Sequence, residues 1–197
     1  MIYSVYCSGS ILKGPSDNKR LCWTDSERAE VSKGAAPNEV VFLNPDDPIP
    51  DPRNTLGQFG RDMYQVMVAS AIIVDARERR GIGIGVEIAA AAAMGTPVIA
   101  VVPPDTNYRQ RTLEYRGVVI EDYVHPHLFA LATALVDDFE AAGRRLSDMP
   151  TMVDRRAAVP AWLVPAVDEY EKKVLALDSP MTASLAKLRK SSTTASW

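Results

Sequence analysis

The sequence has little of what would mark a specialised class. It carries no charge surplus: 22 basic against 25 acidic side chains give a formal net charge of -3 over 197 residues. Such a balance offers neither a nucleic-acid duplex nor an anionic membrane an electrostatic reason to bind, so a small molecule is the expected partner. Only two cysteines occur, Cys7 and Cys22. The first lies in an apolar run, where a buried reduced thiol is the ordinary state. No basic residue precedes Lys13, and no stretch approaches the roughly 18 apolar residues of a membrane span. A soluble, cytoplasmic protein is expected. The two histidines, His125 and His127, flank Pro126 without a cysteine or carboxylate at zinc-ligand spacing, so neither metal nor cofactor is expected.

What is present is an alternation of short apolar runs and helical patterns. Ser4–Ser10, Glu39–Leu43, Ala71–Asp75 and Pro97–Val102 are β-branched and largely non-alternating, as strands buried on both faces of a parallel sheet must be. Between them, Gln58–Ser70 places Phe59, Met63, Val66 and Met67 at helical spacing, and Val86–Met94 is almost entirely small or apolar. This order predicts an α/β doubly wound (Rossmann-like or flavodoxin-like) parallel sheet of about five strands with flanking helices. Val118–Glu121 reads as a further strand, and Pro126–Arg145 as one amphipathic helix closing the domain. The domain is expected over residues 1–148. Residues 149–197 read as a linker, a helical arm at Ala161–Leu177 and a frayed tail from Lys190. Gly14–Pro37 is weakly periodic, and the four prolines of Asn44–Asn54 exclude regular structure. The latter segment begins where a strand ends, which places it to line a site.

Ligands of doubly wound sheets bind at the carboxyl ends of the strands, where the strand order reverses. The first strand ends in Tyr6-Cys-Ser-Gly9-Ser10-Ile-Leu-Lys13-Gly14. Its backbone N–H groups, small hydroxyls and Lys13 could hold a phosphate, although glycine and serine are also generic turn residues. The stretch from Gly81, GIGIGVEIA, lacks the last glycine of a dinucleotide fingerprint. It reads instead as a glycine-rich turn through Gly81 and Gly83 that delivers Glu87 to the first turn of a helix. Glu87 is the only charged residue between Arg80 and Asp105. The helix dipole alone would favour an acid there, but small apolar neighbours desolvate it and give it a candidate catalytic role. Asp62, on the preceding helix, is a second candidate carboxylate, expected near the same sheet edge.

These residues resemble the nucleoside 2-deoxyribosyltransferase superfamily, and most of all its nucleoside 5'-monophosphate N-glycosidase branch. The resemblance rests on VYCSGS, FGRDMYQVMVASAIIVD and GIGVEIAAAAAMGTPVIAVVP, a little over a fifth of the chain. Its most specific element is Asp62, followed 25 residues later by Glu87 within G-x-x-x-E-I and then by a helix and G-x-P. The resemblance implies Glu87 as nucleophile at the anomeric carbon, Asp62 assisting at sugar or base, Tyr6 orienting the glutamate, and Gly9 and Ser10 at the 5'-phosphate. Arg80 replaces the polar or small residue that often contacts phosphate, and could supply charge, although Arg77–Arg80 could equally be a solvated loop. Asn107 and Tyr108 are candidates to reach a neighbouring subunit's site, because such proteins assemble as homodimers or larger oligomers. The implied reaction is hydrolysis of a nucleotide N-glycosidic bond. The alternatives are base exchange by a deoxyribosyltransferase, cleavage of NAD or a sugar nucleotide with a wider pocket near Asp46 and Asp47, and a non-catalytic nucleotide sensor read through Ala161–Leu177.

Overall fold

The computed structural model describes residues 1–9, 23–47, 50–78, 81–151 and 155–194. Five strands form one parallel sheet: β1 (Ile2–Ser8), β2 (Glu39–Leu43), β3 (Ala71–Asp75), β4 (Val98–Val101) and β7 (Ala134–Val136), in the order β2-β1-β3-β4-β7. This is a doubly wound α/β fold whose order reverses between β1 and β3. Strands β3 and β4 are buried at every position because helices cover both faces, which explains why they are apolar throughout except at Asp75, whose carboxylate is paired with Arg77.

The period of two divides the core. Tyr3, Val5, Cys7, Ala71 and Ile73 face one layer, where α1 (Asp25–Ala35) packs on α5 (Phe139–Arg145). Tyr6, Ile72, Val74, Val98 and Ala100 face the other, under α2 (Thr55–Val68) and α3 (Ile82–Met94). Ser4, Tyr6 and Ser8 share that second side of β1 by the same alternation.

Four expectations need correction. Residues Asp25–Ala35 within the weakly periodic segment form α1, whose start is fixed by Glu27 Oε2 accepting the Thr24 backbone N–H at 2.8 Å. Val118–Glu121 does not join the parallel sheet. It lies in β6 (Val118–Val124), paired antiparallel with β5 (Arg109–Tyr115) in a separate hairpin whose turn residues Arg116 and Gly117 have φ of 54° and 77°. The single helix expected over Pro126–Arg145 is α4 (Pro126–Leu131), then β7, then α5. Thr133 N–H bonds to the Val98 carbonyl at 2.7 Å, which draws the chain into the sheet, and Asp138 caps α5 by accepting from Ala141 N–H. Finally, the segment from Lys190 is helical as far as Thr194, within α7 (Ser179–Thr194).

The C-terminal segment packs back onto the domain rather than standing off it. Leu163, Val167 and Tyr170 of and beside α6 (Val164–Lys173) belong to the α2/α3 core layer, and the Tyr170 ring lies 5.3 Å from that of Tyr64. Arg155 donates to the carbonyls of Met67 and Ala69, tying down the end of α2. Helices α2 and α6 approach so closely that a Cβ on Gly60 would fall 2.0 Å from the Ala166 carbonyl oxygen. Gly60→Ala is therefore expected to force the helices apart and cost about 1–3 kcal/mol, read from the midpoint of denaturant unfolding. No helix among the described residues is long and apolar enough to cross a membrane.

Candidate functional site

Glu87 lies in the second turn of α3, not in its first, because the helix starts at Ile82 with Gly81 as its N-cap. The glycine-rich stretch is thus largely helix rather than an approach loop. Glu87 is 8% exposed, and a carboxylate so buried must find donors. Two come from β1: the Tyr6 hydroxyl donates to Oε1 at 2.9 Å and the Ser8 hydroxyl to Oε2 at 2.5 Å. Both oxygens are thereby oriented, one by each of two residues that alternate onto the same side of the strand. The site sits at the carboxyl end of β1, beside β3, where the sheet order reverses.

Burial pushes the Tyr6 phenol well above its ordinary value, and the charges of Glu87 and then Asp62 push it further. Tyr6 therefore stays a donor throughout the neutral range. Because Asp62 bears on the same hydroxyl, it belongs to the same electrostatic neighbourhood; it is half-buried in the middle of α2. Tyr170, buried in the core, has its phenol raised in the same direction by burial and by donating to Asp178. For both tyrosines the folded value lies above the unfolded one. Their contribution to stability is complete below the ordinary tyrosine value of 10.0 and is lost as the pH rises beyond it. Thermal unfolding followed from pH 8 to 11 is expected to show a falling midpoint above about pH 10, with a shallower fall in Tyr6→Phe.

Glycine has a specific use at Gly83, one helical turn before Glu87 and on its flank. A Cβ there would meet nothing within 4 Å, so the helix surface is open at that position. Gly9 follows Ser8 at the end of β1 and is half-buried. The remaining phosphate candidates, Ser10, Lys13 and Arg80, lie outside the described residues. Arg77 is not part of a solvated loop: its Nε donates to Asp75 at 2.8 Å, its Nη2 pairs with Glu27, and its guanidinium lies 4.7 Å from the Phe139 ring centre. Asn107 lines a polar recess with Arg77, Thr106, Gln110 and Thr112. None of Tyr6, Asp62 or Glu87 borders that recess.

Two residues without an assigned role in the sequence reading shape the site. Ser8 was visible there only as a turn hydroxyl, yet its spacing of two from Tyr6 already places it on the same face. Arg61, the neighbour of Asp62, is 1% exposed and bonds through Nε to Asp178 Oδ2 at 2.5 Å. Its Nη1 donates to the carbonyls of Asn44 and Pro45, holding the loop that leaves β2. Asp178 also accepts from the Tyr170 hydroxyl at 2.8 Å and from the Met181 N–H at 3.0 Å. The C-terminal segment is thus wired to the helix that carries Asp62.

A carboxylate fixed by two hydroxyl donors, with a second carboxylate in the same electrostatic neighbourhood, can stabilise or trap a positively charged carbon centre, and the second group can handle a proton. No family model matches the sequence, and no curated protein matches it significantly.

Proposed function

We propose that the protein hydrolyses the N-glycosidic bond of a nucleoside 5'-monophosphate, releasing the free base and a sugar 5-phosphate. The observation that carries this reading is the Glu87 carboxylate, buried at the switch point and held by Tyr6 and Ser8 with Asp62 nearby. Cleavage of this bond passes through an oxocarbenium-like state at the anomeric carbon. Glu87 attacks or stabilises that carbon on one face of the sugar, and the bare backbone at Gly83 leaves room for the ring to approach. Asp62 delivers a proton toward the departing base or orients the sugar hydroxyls. Water then resolves the glycosyl group. Gly9 holds the 5'-phosphate, with Ser10, Lys13 and Arg80 as further contributors.

A homo-oligomer is part of this reading. Helix α3 has no charged residue but Glu87, and it presents Ala89, Ala92 and Ala93 to solvent, a face that a second copy would cover. The test is incubation with a panel of nucleoside monophosphates and nucleosides, with and without an added acceptor base, followed by chromatography. Free base released from a monophosphate without acceptor is the expected result. Exchange seen only with acceptor would make the protein a deoxyribosyltransferase using the same glutamate, and release from none of the panel would overturn the enzymatic reading.

A further inference from the structure

A cavity of about 370 Å³ lies between the start of α3, the start of α4 and the carboxyl end of β3. Its size is that of a small-ligand pocket. The floor is apolar, made by Val74, Ala76, Ile84, Ile88 and Leu128. Gly81 and Gly85 form one wall, and a Cβ at either would meet nothing within 4 Å, so that wall is bare backbone over which a flat group can lie. The rim is aromatic. Tyr108 and His125 meet edge to face with ring centres 5.4 Å apart, and His125 and His127 do so at 5.0 Å. The His125 backbone N–H bonds to the Tyr108 carbonyl at 2.8 Å, which fixes the start of α4 against the base of the β5–β6 hairpin.

Among the described residues that line the cavity there is no carboxylate, ammonium or guanidinium. An apolar floor favours the uncharged face of a ligand lying on it, and an apolar floor alone would not require two imidazoles at the rim. Burial, with help from His127, holds the His125 imidazole below its ordinary value, so near neutral pH the ring is uncharged and has one donor and one acceptor nitrogen. That pairing complements the mixed donor and acceptor edge of a nitrogen heterocycle.

We infer that this cavity binds a neutral, planar nitrogen heterocycle of nucleobase size, at a site separate from the Glu87 carboxylate. The separation follows from the helix. Gly81, Ile84, Gly85 and Ile88 recur at three- and four-residue intervals along one flank of α3, whereas Glu87 turns to Tyr6 and Ser8 on β1. The inference does not depend on the proposed reaction, because it is tested by binding alone.

His125 and His127 are the only histidines in the sequence, so the imidazole Cε1–H resonances of the untagged full chain report on this cavity and nowhere else. Titration with adenine and with cytosine is expected to shift both resonances saturably, and inorganic phosphate is expected to leave them in place. Gly85→Val fills the open wall and should weaken binding about tenfold or more. Glu87→Gln should bind as the parent does. If Gly85→Val does not fold, His127→Leu removes one rim ring, leaves His125 as the probe and carries the same expectation. The inference is overturned if neither base produces a saturable shift, if the cavity variant binds with parent affinity, or if Glu87→Gln abolishes the response, which would place the base beside Glu87. It is equally overturned if the shifts follow protein concentration without added base, because a second copy would then occupy the cavity.

Discussion

Glu87→Gln is expected to lower base release from a nucleoside 5'-monophosphate by about 10³-fold or more, with the fold intact. Glutamine keeps the volume and an acceptor oxygen for one of the two hydroxyl donors from Tyr6 and Ser8. What it lacks is the negative charge that meets the developing positive charge at the anomeric carbon. The substitution also removes a charge from a buried position, so the thermal midpoint is expected to hold or rise. Single-turnover release by chromatography and a thermal melt of the same preparation are the paired measurements. Activity within a few-fold of the parent would remove Glu87 from the chemistry. A lower melting midpoint together with lost activity would show instead that the carboxylate is needed to hold β1 against α3.

The second large effect concerns stability. Arg61 and Asp178 are 1% and 0% exposed, and their ion pair joins α2 to the start of α7. Asp178→Ala leaves a guanidinium buried without its carboxylate, and it removes the acceptor for the Tyr170 hydroxyl and the Met181 N–H. A loss of about 3–5 kcal/mol is expected, measured by denaturant unfolding. Asp47, whose carboxylate lies 3.8 Å from Arg61 Nη2 and is one-third exposed, does not compensate for that loss. The charge itself is not what folding requires. Replacing both partners by apolar residues, as in Arg61→Met with Asp178→Leu, is expected to recover much of the loss, because no buried charge is then left unpaired. A double variant as unstable as Asp178→Ala would mean that the hydrogen bonds at Tyr170 and Met181 dominate.

Both effects show how the sequence specifies this protein. Strands β2 and β3 were legible to the residue, because VVFL and AIIV are short β-branched apolar runs of strand length, and β3, covered on both faces, is buried at every position. The capping signature Thr24-x-x-Glu27 was equally present, but the polar surroundings of α1 hid it: that helix buries only Glu27, Val31 and Ala35. Strand β7 was hidden for the opposite reason. Three residues are too few to show a period, and the apolar positions on either side of them fit a helical stripe. The hairpin turn at Arg116-Gly117 lacks the usual asparagine or aspartate, so the strand before it, Arg109–Tyr115, left no mark in the sequence.

By itself, the sequence determined the class of fold and the residue types at the site. Apolar runs of strand length alternating with helices admit few other arrangements, and a lone acid among alanines needs a reason to be there. The tertiary structure decided which groups meet. It chose Ser8 alongside Tyr6 as the second donor to Glu87, and through Arg61 it tied the C-terminal helices to the helix that carries Asp62. It also placed both histidines at the rim of a cavity. These are contacts between residues as much as 117 positions apart, and local periodicity carries no information about them. Only the packing of helices on the sheet fixes such distances, because it is there that a buried charge or hydroxyl must find its partner.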